Sequence, residues 1–282
     1  MSDNKDVSIL ITSYNDFRIL TLIPALINLS PKEIIIADGG SKSELAIQIK
    51  NLCNGLVKFH DLPGNVAETR YKAQALPKGN ITVFIDTDEE FMDGWIEELT
   101  NPIKKGVADF TFGSTIPSGF ATNKFSRYQD KFDSYFYNDI LPKDVSKGPM
   151  GNSAWKTEII REIGFDPCLG MGGEDYDLNL RAIKAGYKGL YVKNAIVKHD
   201  QNGINTFKKF IFKRYHYQLG AALAYKKNDT LTKSAIRTSV YVGRRFKDPL
   251  EIVIFMTKVI AFFVALIIDP WDKKNGCNQL IM

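Results

Sequence analysis

Cysteine and histidine are scarce, with three of each in 282 residues. Cys53, Cys168 and Cys277 are odd in number, far apart and without a CxxC pair. They therefore predict neither a disulfide framework nor a zinc knuckle, and a reducing cytosol is the default compartment. No internal repeat or low-complexity stretch appears. Met1 to Asp6 is polar and runs straight into a strand-like segment, so the expectation is a chain without a signal or transit peptide.

What is present is an ordinary globular balance, 44% apolar and 24% charged, with length enough for a large buried core. The net charge of +5 conceals an asymmetry. Between Gln201 and Lys247 eleven Lys or Arg face one acid, Asp229, a local net of +10, which leaves −5 for the remainder. Directly after this basic stretch comes "LEIVIFMTKVIAFFVALII", Leu250 to Ile268, followed by Pro270 and Trp271. Its length suits a bilayer span, but Lys258 near its middle is costly there, so an interfacial or partly inserted helix is expected. Polybasic residues would hold anionic headgroups, with Trp271 at the interface. A solvated helix face and nucleic-acid binding are the other readings of the basic stretch, and a core helix or dimer contact could use the same apolar run.

Up to about residue 113 short apolar runs alternate with amphipathic ones. Val7–Ile11, Glu33–Ala37, Leu56–Phe59, Ile81–Ile85 and Ala108–Phe112 read as strands, with helices at about 17–28, 42–53, 65–76 and 94–105. That rhythm predicts an α/β fold with a mostly parallel, doubly wound sheet. Ligands of such sheets bind beyond the carboxyl ends of the strands. The residues there are polar: Thr12 to Asn15, Asp38 to Ser41, Asp61, and Asp86-Thr87-Asp88. Further along, Phe125, Tyr128, Phe132 and Phe136 fall on related faces of a helix between 118 and 138, which reads as core packing. A Gly-rich loop precedes a helix at about 173–186, and two short strands follow, one near Leu190 and one ending near His199. The boundary between an acidic body, 1–204, and a basic, apolar helical region, 205–282, falls near Asn205.

Asp86 and Asp88 alternate with Thr87 just past a buried strand, so both carboxylates can face one cation. Oxygen ligands of this kind suit Mg²⁺ or Mn²⁺, which neutralise a diphosphate. His199 ends a β-like run; if it lies beside the Asp86 loop, an imidazole nitrogen completes the site and favours Mn²⁺. Glu174, Asp175 and Asp177 open a helix after Gly170, Gly172 and Gly173, where part of the cluster serves the helix dipole. One carboxylate facing the cleft could take the proton of an attacking hydroxyl, with Asp175 the candidate base and Glu174 positioning the acceptor.

In order along the chain, "VSILITSYND", "EIIIADGGS", "GNVAETRYKA", "FIDTDEEF", "GNSAWKTEIIREIGFDP", "GGEDYDLNLRAIKAGY" and "VKHD" resemble the family 2 glycosyltransferases of the GT-A fold, over roughly residues 5 to 200. The resemblance implies an inverting enzyme that moves a sugar from a nucleoside diphosphate sugar in one displacement, on a mixed, mostly parallel sheet flanked by helices, while the C-terminal helical extension is expected from the basic and apolar stretches beyond residue 204. It places Ser13, Tyr14 and Asp38 on the base and ribose, and Arg70 on the base or diphosphate. It also puts Asp86 by the ribose and cation, Asp88 and His199 on the cation, Asp175 as base, and Asn152 in the loop beneath donor sugar and acceptor. Thr12-Ser13 stands where Pro-Thr is usual, and Asp38-Gly39-Gly40-Ser41 where Asp-Asp-Gly-Ser is usual. The absence of a Gln-x-x-Arg-Trp motif implies single additions rather than processive synthesis.

The expected partners are a nucleotide-sugar donor, with UDP favoured, a hydroxyl acceptor that is a glycan or a lipid-linked sugar, and the anionic cytosolic face of a membrane. Nucleic acid is disfavoured as a partner, and the oligomeric state is not read from the sequence. A haloacid-dehalogenase-like phosphatase would carry its D-x-D on the first strand. A sugar nucleotidyltransferase would carry a Gly-rich N-terminal loop with Arg and Lys, which "LITSYNDFR" lacks. A non-catalytic nucleotide- or nucleic-acid-binding protein is the remaining alternative, recognised by salt-sensitive binding without donor hydrolysis.

Overall fold

The structure is a computed structural model, described over residues 4–119, 121–170, 172–229, 249–268, 270–271 and 277. Eight strands form one mixed, mostly parallel sheet in the order β3-β2-β1-β4-β7-β6-β8-β5. The parallel half comprises β1 (Val7–Ser13), β2 (Glu33–Asp38), β3 (Val57–Asp61) and β4 (Ile81–Phe84). Helices α1 (Ile19–Ile27), α2 (Ser43–Asn51) and α3 (Val66–Ala73) connect these strands. The second half contains β5 (Glu89–Phe91), β6 (Phe110–Pro117), β7 (Ser153–Lys156) and β8 (Gly189–His199), with β7 antiparallel to both β4 and β6.

Alternation along the strands builds two cores. Val7, Ile9 and Ile11 of β1 face α1, α2 and α4 (Trp95–Lys104), where Ile19, Leu22, Ile23 and Leu26 follow the i, i+3, i+4, i+7 helical spacing. Each such fully buried side chain contributes on the order of 1.5–3 kcal/mol. Leu10, Ile35 and Phe84 point the other way, onto α3, α6 (Thr157–Ile163) and α7 (Glu174–Lys184). On that face Phe110 stacks on Trp155 with ring centroids 4.2 Å apart.

The predicted pair of short strands near Leu190 and His199 is one strand, β8. It stays continuous because a register shift between Gly113 and Ser114 of β6 absorbs the irregularity. The aromatic helix is α5 (Lys124–Tyr135), started by an Asn123 capping box.

Among the described residues two long helices follow β8, α8 (Phe207–Lys227) and α9 (Pro249–Ile267). They run parallel: Phe210 packs near Leu250 and Ile254, and Gln218 meets Thr257 at 2.9 Å. At the far end the Lys226 ammonium donates to the carbonyls of Ala265 and Ile268, each at 2.9 Å. Thr257, Ala261 and Ala265 form the buried stripe of α9. Two expectations are corrected here. Cys168 and Cys277 are joined in a disulfide, because the chain's return across the body brings together residues far apart in sequence. Trp271 donates from its indole nitrogen to Asp166 at 2.7 Å, so it packs on the body instead of standing free at an interface.

Candidate active site

The carboxyl ends of β1 and β4, the Gly151 loop, the start of α7 and the sides of α8 and α9 enclose a cleft of about 1840 Å³. Asp86, Thr87 and Asp88 line it, with the Thr87 hydroxyl committed to Asp16, to which it donates at 2.6 Å. The pairing of β5 with β8 sets Glu89 opposite His199, which brings the imidazole to the acid loop. His199 Nε2 lies 3.1 Å from Asp88 Oδ2. Behind it, Gln201 donates to Asp133 of α5 at 2.8 Å, and its amide lies 2.8 Å from His199 Nδ1.

Arg70 joins the two acidic motifs. The Asn65–Glu68 capping box starts α3 so that the Arg70 guanidinium reaches Glu174 at 2.5 Å and Asp86 at 3.1 Å. Arg70 and Glu174 are both buried. Gly151 passes beneath this pair of motifs, and a β-carbon there would lie 2.5 Å from Asp86 Oδ2. A side chain at 151 would therefore displace the carboxylate.

The charges are strongly interdependent. Burial, followed by the charge of Asp86, pushes the Glu89 carboxyl up to about 8. Burial acts the same way on Asp88, but the neighbouring His199 overcomes it and holds that carboxyl low. His199 is correspondingly raised well above its ordinary value, because Asp88 and Asp133 outweigh its burial. At the α7 end, burial and then the charge of Glu174 raise Asp175 to about 7, the range a general base needs.

Among the described residues no three His, Cys, Asp or Glu side chains are gathered closely enough to hold a metal ion as they stand. Asp86 is turned to Arg70 and Asp88 to a charged His199. The donor set nonetheless fits a divalent cation. Three carboxylates, Asp86, Asp88 and Glu89, crowd one end of the cleft, and two of them are raised by their mutual repulsion as well as by burial. The His199 charge that partly offsets them stands where a cation would act.

Residues 8–164, more than half of the chain, match glycosyl transferase family 2. The chain belongs to the family 2 glycosyltransferases. The pre-mycofactocin glycosyltransferase of Mycobacterium tuberculosis is 25% identical over 209 residues, covering 70% of this chain and 43% of the relative. The chain thus spans less than half the length of the curated relatives it matches. Glucosyl-3-phosphoglycerate synthase from Mycobacterium tuberculosis, solved with Mn²⁺, UDP and phosphoglyceric acid, superposes with a TM-score of 0.54 at 16% identity, over 79% of this chain and 78% of that one. GalNAc-T7 with UDP, GalNAc and Mn²⁺ gives a TM-score of 0.57 at 19% identity, over 80% of this chain and 48% of that one. These likenesses establish the GT-A fold.

Within this glycosyltransferase, Ser13, Tyr14, Arg70, Asp86, Asp88, Glu174, Asp175 and His199 all line the cleft. Ser13 Oγ and Glu174 Oε2 are buried without a hydrogen-bond partner among the described residues. Two of the expected contact residues, Asp38 and Asn152, are not among the residues lining the cleft. Asp38 is buried, and its carboxylate accepts from Gly40 N, Ser41 N and Ser41 Oγ at 2.6–3.1 Å. Asn152 is likewise off the wall, a strut that accepts from Trp95 Nε1 at 2.7 Å and donates to the carbonyls of Ser114 and Ala195. Asp177 serves structure: fully buried, it takes Arg181, Lys227 and Asn228.

The basic stretch is also redistributed. Lys213 lines the cleft, where burial lowers its basicity but Tyr217 and Asp88 more than restore it. Arg214 donates to Gln129 and stacks on Phe132, while Lys226 and Lys227 are committed to α9 and to Asp166. Lys233, Arg237, Arg244, Arg245 and Lys247 lie outside the described residues. Sequence reasoning missed Asp133, Gln201 and Lys213 as cleft residues. The i, i+4 pair Gln129 and Asp133 inside an otherwise aromatic helix face was the available signal.

Proposed function

We propose that the enzyme transfers a sugar from a nucleoside diphosphate sugar, with UDP preferred, to a hydroxyl acceptor with inversion of the anomeric centre. The observation that carries this reading is the Arg70 bridge, which sets the Asp86 loop and the Glu174-Asp175 pair on one cleft. Ser13 and Tyr14 contact the nucleoside. Asp86, Asp88 and His199 hold Mn²⁺ or Mg²⁺, which when bound neutralises the diphosphate and stabilises it as a leaving group. Lys213 adds a positive charge on the same side. Glu174 uses its unpartnered oxygen to position the acceptor hydroxyl, and Asp175 accepts the proton as the oxygen attacks the anomeric carbon from the face opposite the diphosphate. The sugar–phosphate bond breaks as the new glycosidic bond forms, so no covalent enzyme intermediate is needed.

Residues 1–204 form the catalytic unit in this reading, and 205–282 adapt it to the cytosolic face of a membrane. Ile252, Met256, Ile260 and Ile267 of α9 are about half or more exposed on one face, a composition suited to an interfacial helix. A lipid-linked acceptor is consistent with that placement.

Calorimetric titration with UDP, GDP and dTDP, with and without Mn²⁺, tests the reading on wild type and Asp88→Ala. UDP should bind with Mn²⁺ and lose that metal dependence in the variant. Binding of none of the nucleotides under either condition would remove the mechanistic basis.

A further inference from the structure

Helix α9 presents three faces. One, with Ala261 and Ala265, packs on α8; a second, with Met256 and Ile260, is open to the outside; the third, with Phe255, Lys258, Val259 and Phe262, lines the cleft. Lys258 is the exception on that third face. Its side chain lines the cleft on the same helix as Phe255, Val259 and Phe262 and has no hydrogen bond or carboxylate partner among the described residues, a costly arrangement for a largely buried ammonium. Burial, with the repulsion of Lys147 added, lowers it to about 8.

Lys147 belongs to a short turn fixed against α7. Asn179 of that helix donates to the carbonyls of Gly148 and Ser146, at 2.7 and 3.2 Å, one turn beyond Asp175. Asp144 lies 3.5 Å from Lys147, so Lys147 is partly compensated and Lys258 is not. Glu251, the acid of α9, lines the same cleft seven residues before Lys258, at the start of the helix. Two ammonium groups that repel each other in one cleft, beside an apolar wall, make a receptor for an anion attached to a hydrocarbon.

We infer that Lys258, assisted by Lys147, is the anion-binding element of an acceptor subsite, and that the acceptor is a phosphate- or diphosphate-bearing amphiphile whose apolar chain lies along Phe255, Val259 and Phe262. The inference rests on the transferase reading above and specifies its acceptor. The phosphate is a handle and not the nucleophile; the attacking oxygen remains a sugar hydroxyl whose proton passes to Asp175. Anion and chain are recognised together, which separates this subsite from a site for free phosphate.

The test uses the full-length protein and dodecyl phosphate below its micelle concentration, with inorganic phosphate and dodecanol as the separated halves of the probe. Wild type should bind dodecyl phosphate at least about 10-fold more tightly than either half, Lys258→Met should lose about 10-fold or more, and Lys258→Arg should retain binding. Lys258→Met should also melt at the same or a higher temperature, since it removes an unpaired charge from an apolar wall. Unchanged dodecyl phosphate binding in Lys258→Met would overturn the proposal, as would inorganic phosphate binding as tightly as the amphiphile. Equal loss of binding to phosphatidylglycerol vesicles would overturn it too, by making Lys258 a membrane contact. UDP titration with Mn²⁺ in the same variants keeps the two readings apart: UDP binding should survive Lys258→Met, and its absence from wild type would count against the transferase reading alone.

Discussion

Gly220 of α8 lies against Gly172 so closely that a β-carbon on Gly220 would fall 1.8 Å from the Gly172 carbonyl oxygen. The reciprocal contact is as tight, since a β-carbon on Gly173 would meet the Gly220 carbonyl at 2.2 Å. Backbone on backbone leaves no side chain to yield, so α8 is fixed directly above the turn that launches Glu174 and Asp175. Gly220→Ala should therefore destabilise by about 1–3 kcal/mol, lowering the melting temperature by several degrees, and should reduce turnover. Gly55→Ala, where nothing lies within 4 Å, is the control and should melt like wild type. Equal melting temperatures for the two variants would show that the contact is relaxed in solution.

Arg70 and Glu174 form a buried pair whose members cannot be removed singly without exposing the other's charge to a dry environment. Arg70→Met should cost about 3–5 kcal/mol in urea unfolding, and adding Glu174→Gln should restore a good part of it. Additive losses in the double-mutant cycle would mean that the two side chains do not interact.

The parallel half of the sheet was legible because its central strands carry runs of buried apolar residues that two-sided burial explains, as in Ile34-Ile35-Ile36 of β2. The acid loop was legible for the same reason, standing at the end of such a run. The second half was harder. β7 is four residues interrupted by Trp155, and β5 is three residues of which two are acids, so neither carries a periodicity of its own. Asp38 and Asn152 stood out as ligand residues, and the structural bonds each makes, to Gly40 and Ser41 and to Trp95, Ser114 and Ala195, are not revealed by sequence spacing. The Cys168–Cys277 bond and the Lys213 position depend on how the C-terminal helices return to the body, a long-range fact.

Metal binding should release a proton. His199 is held charged by Asp88 and Asp133, and a charged imidazole cannot ligate, so Mn²⁺ affinity should rise with pH below the raised His199 value. Calorimetry in buffers of different ionisation enthalpy should count close to one proton in wild type and fewer in His199→Gln. The metal-free protein carries the linked effect. A histidine raised above about 6.5 on folding stabilises fully below that pH, and the contribution fades as pH climbs through the folded value. Wild type should therefore lose more thermal stability than His199→Gln on going from neutral to alkaline pH; parallel losses would rule out the linkage.

The exposed stripe of α9 should govern partitioning onto vesicles. Replacing Met256 and Ile260 by Ser removes two apolar side chains from the outer face, each worth on the order of 1.5–3 kcal/mol if fully buried in lipid. Co-sedimentation with phosphatidylglycerol-containing vesicles should fall by well over 10-fold, with UDP titration unchanged. Undiminished sedimentation would assign the stripe to another contact.

If Asp175 is the base proposed above, its carboxyl should set the acid limb of the pH–rate profile. Only its ionised form can accept the acceptor proton, so turnover should climb through pH of about 7 and level off above it. Burial is the larger cause of that elevated value and cannot be removed by one substitution; the charge of Glu174 is the second cause and can. In Glu174→Gln the limb should move to lower pH even as the maximal rate falls through poorer positioning of the acceptor. Asp175→Asn should lose about 10²–10⁴-fold in kcat, keep donor binding, and show no limb in this range. The same elevation has a stability signature of known sign. Between the ordinary aspartate value and about 7 the folded protein holds a proton that the unfolded chain has lost, so this group's contribution to stability declines as pH rises across that interval. Asp175→Asn should flatten that decline, and an unshifted limb in Glu174→Gln would show that a different group titrates in the rate.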